Sequence, residues 1–167
     1  MMLLVNAVVG LVQLIIAIIF AVLALYIGFF TLGKITKDIE AEKELARGNP
    51  AVGILVAAVF VAIALVVQSG ISGLSVGIGK AASVGLFSLD GILAIGAAFV
   101  QLILGILLAV AGIYLALSIL DKLTKGVNEF QEIKRGNVAV ALVMAGVIVS
   151  VAVIIQSGVL GITAALV

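Results

Sequence analysis

The sequence predicts an all-α integral membrane protein with four transmembrane helices, built as two tandem, parallel two-helix repeats. Three observations predict it. Of 167 residues, 65% are hydrophobic and only 10% charged, whereas a soluble globule carries about 25% charged residues. Four stretches, 1–33, 48–79, 91–120 and 136–167, hold no Asp, Glu, Lys or Arg. Each exceeds the ~20 residues that cross a ~30 Å hydrocarbon core at ~1.5 Å per residue. Finally, the chain lies on itself without a gap when shifted by 88 positions: residues 12–73 and 100–161 are identical at 26 of 62 positions. The polar identities, among them Gln13/Gln101, Tyr26/Tyr114, Glu44/Glu132, Arg47/Arg135, Asn49/Asn137 and Gln68/Gln156, do not follow from a biased apolar composition.

The first repeat is expected over 1–79, with a transmembrane helix at about 3–33, an interfacial segment at 34–47 and a second transmembrane helix at about 50–78. The opening MMLLVNAVVG has no basic residue, and its apolar run is about twice the ~7–15 residues of a signal-peptide core, so it is read as a membrane span. Segment 34–47 (KITKDIEAEKELAR) carries four basic and four acidic residues. Ile35 and Ile39, four apart, give it an apolar edge suited to lying along the interface as a short helix. A helix continuing straight to Arg47 would lift the following apolar run about 20 Å into water, so a bend is expected near Gly33.

Arg47-Gly48-Asn49 reads as punctuation: Gly48 suits the left-handed position that ends a helix, Asn49 the N-cap of the next, and Pro50 its first turn. A linker is expected over 80–90, holding only Lys80 and Asp90 as charges. The second repeat, 91–167, follows the same plan: a transmembrane helix at about 91–120, an interfacial segment at 121–135 and a last helix at about 138–165. In the segment, Leu123, Val127 and Phe130 form the apolar edge, Asp121 and Lys125 an i,i+4 pair, and Gly126 the bend. Arg135-Gly136-Asn137 repeats the corner.

Eight of the nine basic residues fall in 34–47 and 121–135. The positive-inside rule therefore places both segments in the cytoplasm and both termini outside a cytoplasmic membrane. Each repeat has an even number of spans, so the two insert in the same orientation, related by an axis along the membrane normal.

Residues within the spans define the candidate sites. At ~1.5 Å per residue, Gln13 and Gln68 stand about 28–31 Å above the charged ends, and Gln101 and Gln156 repeat those heights. With Ser69 and Ser157 they form a candidate polar layer towards the outer leaflet. Intramembrane Gln and Ser are expected chiefly as interhelical hydrogen bonders worth ~0.6 kcal/mol each, with a permeation site as the alternative. Tyr26 and Tyr114, about 12 Å inside the charged ends, are expected to pack in the core rather than to gate. Ala57, Val61, Ala64 and Gln68 form one helical stripe, copied as Ala145, Val149, Ala152 and Gln156, and small residues on a stripe point to a helix–helix face. Ile15, Ile18, Val22 and Tyr26 make a second stripe, with Gln13 on roughly the opposite side.

The absences exclude function classes. The chain has no Cys and no His, so thiol catalysis, thiolate or imidazole metal sites and disulfides are not expected. No titratable side chain lies in a span, where proton relays, voltage sensors and charge-ring filters need one. No acid–base pair or nucleophile with its base can be assembled where substrate could reach it, so an enzyme is not expected, nor a cofactor or metal. A net charge of +1 offers nothing to nucleic acid.

RGNPAV (47–52) and RGNVAVA (135–141), each followed by an apolar helix closing on QSG (68–70 and 156–158), resemble the Domain of Unknown Function 350 family of small prokaryotic membrane proteins. The resemblance spans nearly the whole chain. It implies a four-helix multipass protein of undetermined activity, with no catalytic residues to carry over.

The functional expectation is an oligomeric structural, membrane-organising or accessory subunit. Its partners would be the bilayer, further copies or a larger membrane complex, and a cytoplasmic protein at 34–47 and 121–135. The alternative is a channel or uniporter for a small ion or neutral solute, lined by Gln68, Gln156, Ser69, Ser157, Tyr26 and Tyr114.

Overall fold

The computed structural model describes residues 2–35, 40–123 and 128–165, which are helical apart from short turns and contain no strand. The elements are α1 (Met2–Ile35), α2 (Ala41–Ala46), α3 (Pro50–Val84), α4 (Leu89–Leu123), α5 (Glu129–Lys134) and α6 (Val138–Ala165). Among the described residues four helices, α1, α3, α4 and α6, are long and apolar enough to cross a membrane. Each repeat is thus a hairpin of two long helices with a six-residue helix at its charged end.

The long helices outrun the apolar stretches that announce them. Lys80 does not end α3, which continues to Val84 and stops at Gly85, whose φ of 104° is poorly tolerated by residues with a Cβ. Ser88 then caps α4, its hydroxyl accepting from Gly91 N at 3.0 Å. The connection expected over 80–90 therefore shrinks to residues 85–88. At 35 residues, α3 and α4 are each about 52 Å long, well beyond the hydrocarbon thickness.

Gly33 does not end α1, which runs on to Ile35, and residues 36–39 between α1 and α2 lie outside the described residues. One Gly costs a helix only ~1 kcal/mol, too little to break a continuous apolar run. Ile39, Lys125, Gly126 and Val127, invoked for the interfacial edges, the ion pair and the second bend, lie outside the described residues.

α3 is the central helix. Over half of its most apolar window is buried, against 6% for α1. It packs along α6 and α4 and, less extensively, against α1. In a bilayer, lipid competes for apolar surface, so close packing rather than water exclusion holds helices together. α3 meets this demand with Gly70, Gly73 and Gly77. A Cβ at Gly70 would lie 3.2 Å from Leu102 Cα, and one at Gly73 3.0 Å from the Gln101 amide. A Cβ at Gly77 would lie 2.7 Å from Ala98 Cβ. The core that α3 shares with the other helices includes Leu55, Val66, Met144 and Ile148, none more than 1% exposed. α1 is pinned from the side by two tilted aromatic pairs, Phe20–Phe99 at 5.7 Å and Phe29–Phe60 at 6.1 Å.

Candidate functional site

The most extensive polar network among the described residues is at the corner where each short helix turns into the following long one. Gly48 and Gly136 adopt φ of 76° and 86°, the left-handed conformation that terminates α2 and α5. Gly48 N donates to the Leu45 carbonyl and Asn49 N to the Glu44 carbonyl; Gly136 and Asn137 repeat both bonds to Ile133 and Glu132. These are the paired bonds of a Schellman motif. The Asn oxygens then cap the next helices: Asn49 Oδ1 accepts from Ala51 and Val52, and Asn137 Oδ1 from Ala139 and Val140. Each Asn amide turns back to the Glu five residues before it, Asn49 to Glu44 at 3.2 Å and Asn137 to Glu132 at 2.8 Å. The other oxygen of each Glu receives Arg47 at 2.8 Å or Arg135 at 2.9 Å.

The electrostatics follow from that ring. Glu44 is held below the usual carboxylate range by the Asn49 hydrogen bond, helped by Arg47 and opposed by burial. Glu132 is lowered by its bonds from Asn137 and Arg135. Glu40, ahead of α2, is lowered by its hydrogen-bonded ion pair with Lys43. Both corner arginines are more than 70% exposed, facing water rather than the core.

The corners are alike in sequence but not in surroundings. Asn49 also donates to the Ile133 and Lys134 carbonyls at 3.1 and 3.2 Å, docking the first corner onto α5. Both corners therefore lie at the same end of the bundle. Asn137 makes no such cross-repeat bond among the described residues. Glu129, at the start of α5, is 3% exposed, and its carboxylate has no hydrogen-bond partner among the described residues.

The intramembrane polar residues do not converge. Gln101 is 5% exposed, wedged against Gly73 and donating to the Val159 carbonyl at 3.1 Å. Gln68 faces outward, while Gln13 and Gln156 are half-buried. Ser69 is buried and Ser157 exposed, and each donates to a carbonyl of its own helix, Val66 and Val153 respectively. Tyr26 and Tyr114 are 73% and 54% exposed rather than packed in the core. On α1 the Tyr stripe turns outward so that Ala24 can face the interior, whereas on α4 Ile106 of the copied stripe packs on the core and Tyr114 stays exposed. Tyr114 borders an apolar groove of about 610 Å³ between α1 and α4. A second recess, of about 370 Å³ between α3 and α4, reaches from Lys80 and Asp90 down to Gln101. Among the described residues no group of carboxylates could hold a metal ion.

A family model described as Domain of Unknown Function (DUF350) matches this chain twice, over residues 5–105 and 89–167. The chain belongs to the DUF350 family. The second match begins at Leu89, the first residue of α4, where the second hairpin starts. Two overlapping DUF350 matches accord with the duplication read from the 88-residue offset. Neither the curated proteins nor the solved structures contain a match. The DUF350 assignment brings no activity with it, and four long apolar helices mark the chain as a membrane protein.

Sequence reasoning named Arg, Gly and Asn of each corner but not the Glu that closes it. The signal was present, since Glu44 and Glu132 stand at the same spacing from Asn49 and Asn137. The docking of Asn49 on backbone carbonyls 84 and 85 residues away left no trace in the sequence.

Proposed function

We propose that this DUF350 protein is a non-enzymatic structural or accessory subunit of an oligomeric assembly in the cytoplasmic membrane, with its two corners in the cytoplasm. The dispersal of the intramembrane polar groups carries this reading. Gln101 uses its amide on the Val159 carbonyl, and Ser69 and Ser157 bond within their own helices. The Gln68 amide stands on the outside of the protomer. Glycine contacts and aliphatic side chains fill the seams between α3, α4 and α6, which supports a packed rather than a conducting interior. The orientation rests on the basic residues, eight at the corner end against Lys80 at the other.

Reconstitution into liposomes tests the reading. The expected result is a multimeric mass in detergent and no flux of K⁺, Cl⁻ or a small neutral solute above that of empty vesicles. A flux abolished by Gln68→Leu/Gln156→Leu would overturn it, as would a monodisperse monomer.

A further inference from the structure

The two repeats share a sequence but not an environment, and the difference is systematic. Leu55, Ala58, Val66 and Ser69 lie on one face of α3 and are at most 6% exposed. Their counterparts on α6, 88 residues on, are Val143, Gly146, Ile154 and Ser157, and all four are exposed, Ile154 at 70%. On the opposite face the relation reverses. Phe60 and Ala64 of α3 are exposed, whereas Ile148 and Ala152 of α6 are 0% exposed. The first face of α3 is the one seated on α4 and α6 of the second repeat.

The same asymmetry holds in the glycine seam. Gly70 and Gly73 receive Leu102 and Gln101 of α4. Gly158 and Gly161, their copies on α6, meet nothing within 4 Å. The copies of Gln101 and Leu102 are Gln13 and Leu14 on α1, and Leu14 is 55% exposed where Leu102 is 1%. Both halves of the second seam, Gln13-Leu14 and Ser157-Gly158-x-x-Gly161, are identical to the halves that fit together in the first. Within one chain they do not meet: among the described residues α1 and α6 make no substantial contact. The corner repeats the pattern: Asn49 reaches the Ile133 and Lys134 carbonyls of the second repeat. Among the described residues Asn137 reaches no equivalent carbonyl, which would be that of Leu45 or Ala46 in another molecule.

Resting on the oligomer reading above, we infer that a second copy of this chain covers the open face of α6, with its α1 and α3 placed as α4 and α6 are placed on α3 within one chain. The interface is heterologous. Each protomer offers α6 at one side and α1 with the Phe60–Ala64 face of α3 at the other, and repeated contacts run head to tail in the plane of the bilayer, closing into a ring if the rotation permits. Gly158 then seats Leu14 of the neighbour, Gly161 seats its Gln13, and Asn137 donates to its α2 carbonyls.

The natural chain has no Cys, so engineered thiols report contacts cleanly. A Cβ at Gly70 lies 3.4 Å from Leu102 Cβ, near the ~3.5–4.5 Å of a disulfide, and the same spacing is expected between Gly158 and the neighbour's Leu14. Both positions are exposed in the protomer, so Leu14→Cys/Gly158→Cys is compatible with folding. Oxidised in native membranes, it should give a ladder of dimers and higher multimers, as should Gln13→Cys/Gly161→Cys joined by a short bifunctional thiol reagent, because the Gln101 contact at Gly73 is made by the end of its side chain. Each Leu14→Cys or Gly158→Cys variant alone should stay monomeric on the gel, while the two co-expressed give a covalent dimer. An oligomeric mass in detergent with no ladder from either double variant would overturn this geometry and leave the oligomer standing. Dimers from Gly158→Cys alone would replace it with a two-fold contact, and a monomer in detergent would remove both readings.

Discussion

Replacing Gly77 by Ala probes how closely α3 and α4 approach, the contact on which the arrangement of the two repeats depends. The new Cβ would lie 2.7 Å from Ala98 Cβ and 2.9 Å from the Ala94 carbonyl oxygen. Non-bonded carbons settle at ~3.5–4.0 Å, so the shortfall is about 1 Å. Because the Ala94 oxygen is backbone, no rotamer change relieves it and the helices must part. Overpacking of this kind costs about 1–3 kcal/mol, and the gain in helix propensity from Gly to Ala returns about 0.5–1 kcal/mol. Gly79, two residues on, has nothing within 4 Å of its Cβ position and should receive the propensity gain alone. The two variants are thus expected to differ by about 1–3 kcal/mol, with Gly77→Ala below the natural protein and Gly79→Ala at or above it. Thermal unfolding in detergent micelles, followed by circular dichroism, measures this. Equal stability of the two variants would refute backbone contact at Gly77 and, with it, the tight α3–α4 seam.

Asn49→Asp keeps the cap acceptor but removes the donor that reaches Glu44, Ile133 and Lys134, and sets a carboxylate beside Glu44. The same unfolding assay should show a loss of about 1–3 kcal/mol, and an unchanged melt would remove the cross-repeat docking. Glu44 and Glu132 both titrate below the ordinary value of 4.5, so their stabilisation is complete above that pH and disappears as pH falls through the lower folded values. Melting temperature should therefore drop on acidification below about 4.5, and Glu44→Gln/Glu132→Gln should flatten that drop. Gln101→Leu deletes the buried hydrogen bond to Val159 and should cost about 0.6–2 kcal/mol in the same micelles without altering helical content. A larger loss, or a change in vesicle leakage, would assign Gln101 more than an interhelical bond.

How much of this was readable in advance depends on the range of each signal. The spans and the corners are local: an uncharged run, a left-handed Gly and a capping Asn carry their own instructions, and Gly48, Asn49, Gly136 and Asn137 obey them. Helix ends were less legible. Lys80 and Asp90 looked like the edges of a linker, yet α3 and α4 absorb both, because a single charge near a span end can sit in water without unwinding its helix. The burial of a stripe was not legible at all. Ala64 and Ala152 occupy the same register of the same motif, one exposed and the other 0% exposed, since burial depends on which neighbour arrives rather than on the helix itself. The Tyr stripes met the same limit: their spacing was correct, but α1 presents its Ala24 side inward, and on α4 Ile106 packs on the core while Tyr114 stays exposed.

A duplicated hairpin confronts each surface with two occupants. Gly73 is explained inside the chain, because the Gln101 amide would abut any side chain there. Gly161, its copy, has no such explanation within the protomer, and neither does Gly158. Each costs α6 about 1 kcal/mol of helix propensity relative to Ala, with no close approach in the single chain to offset it. The same holds for Leu14, which copies a fully enclosed Leu102 yet stands open. Open positions that repeat the residues of a closed seam, on two long helices without substantial contact among the described residues, are accounted for when the next molecule brings them together.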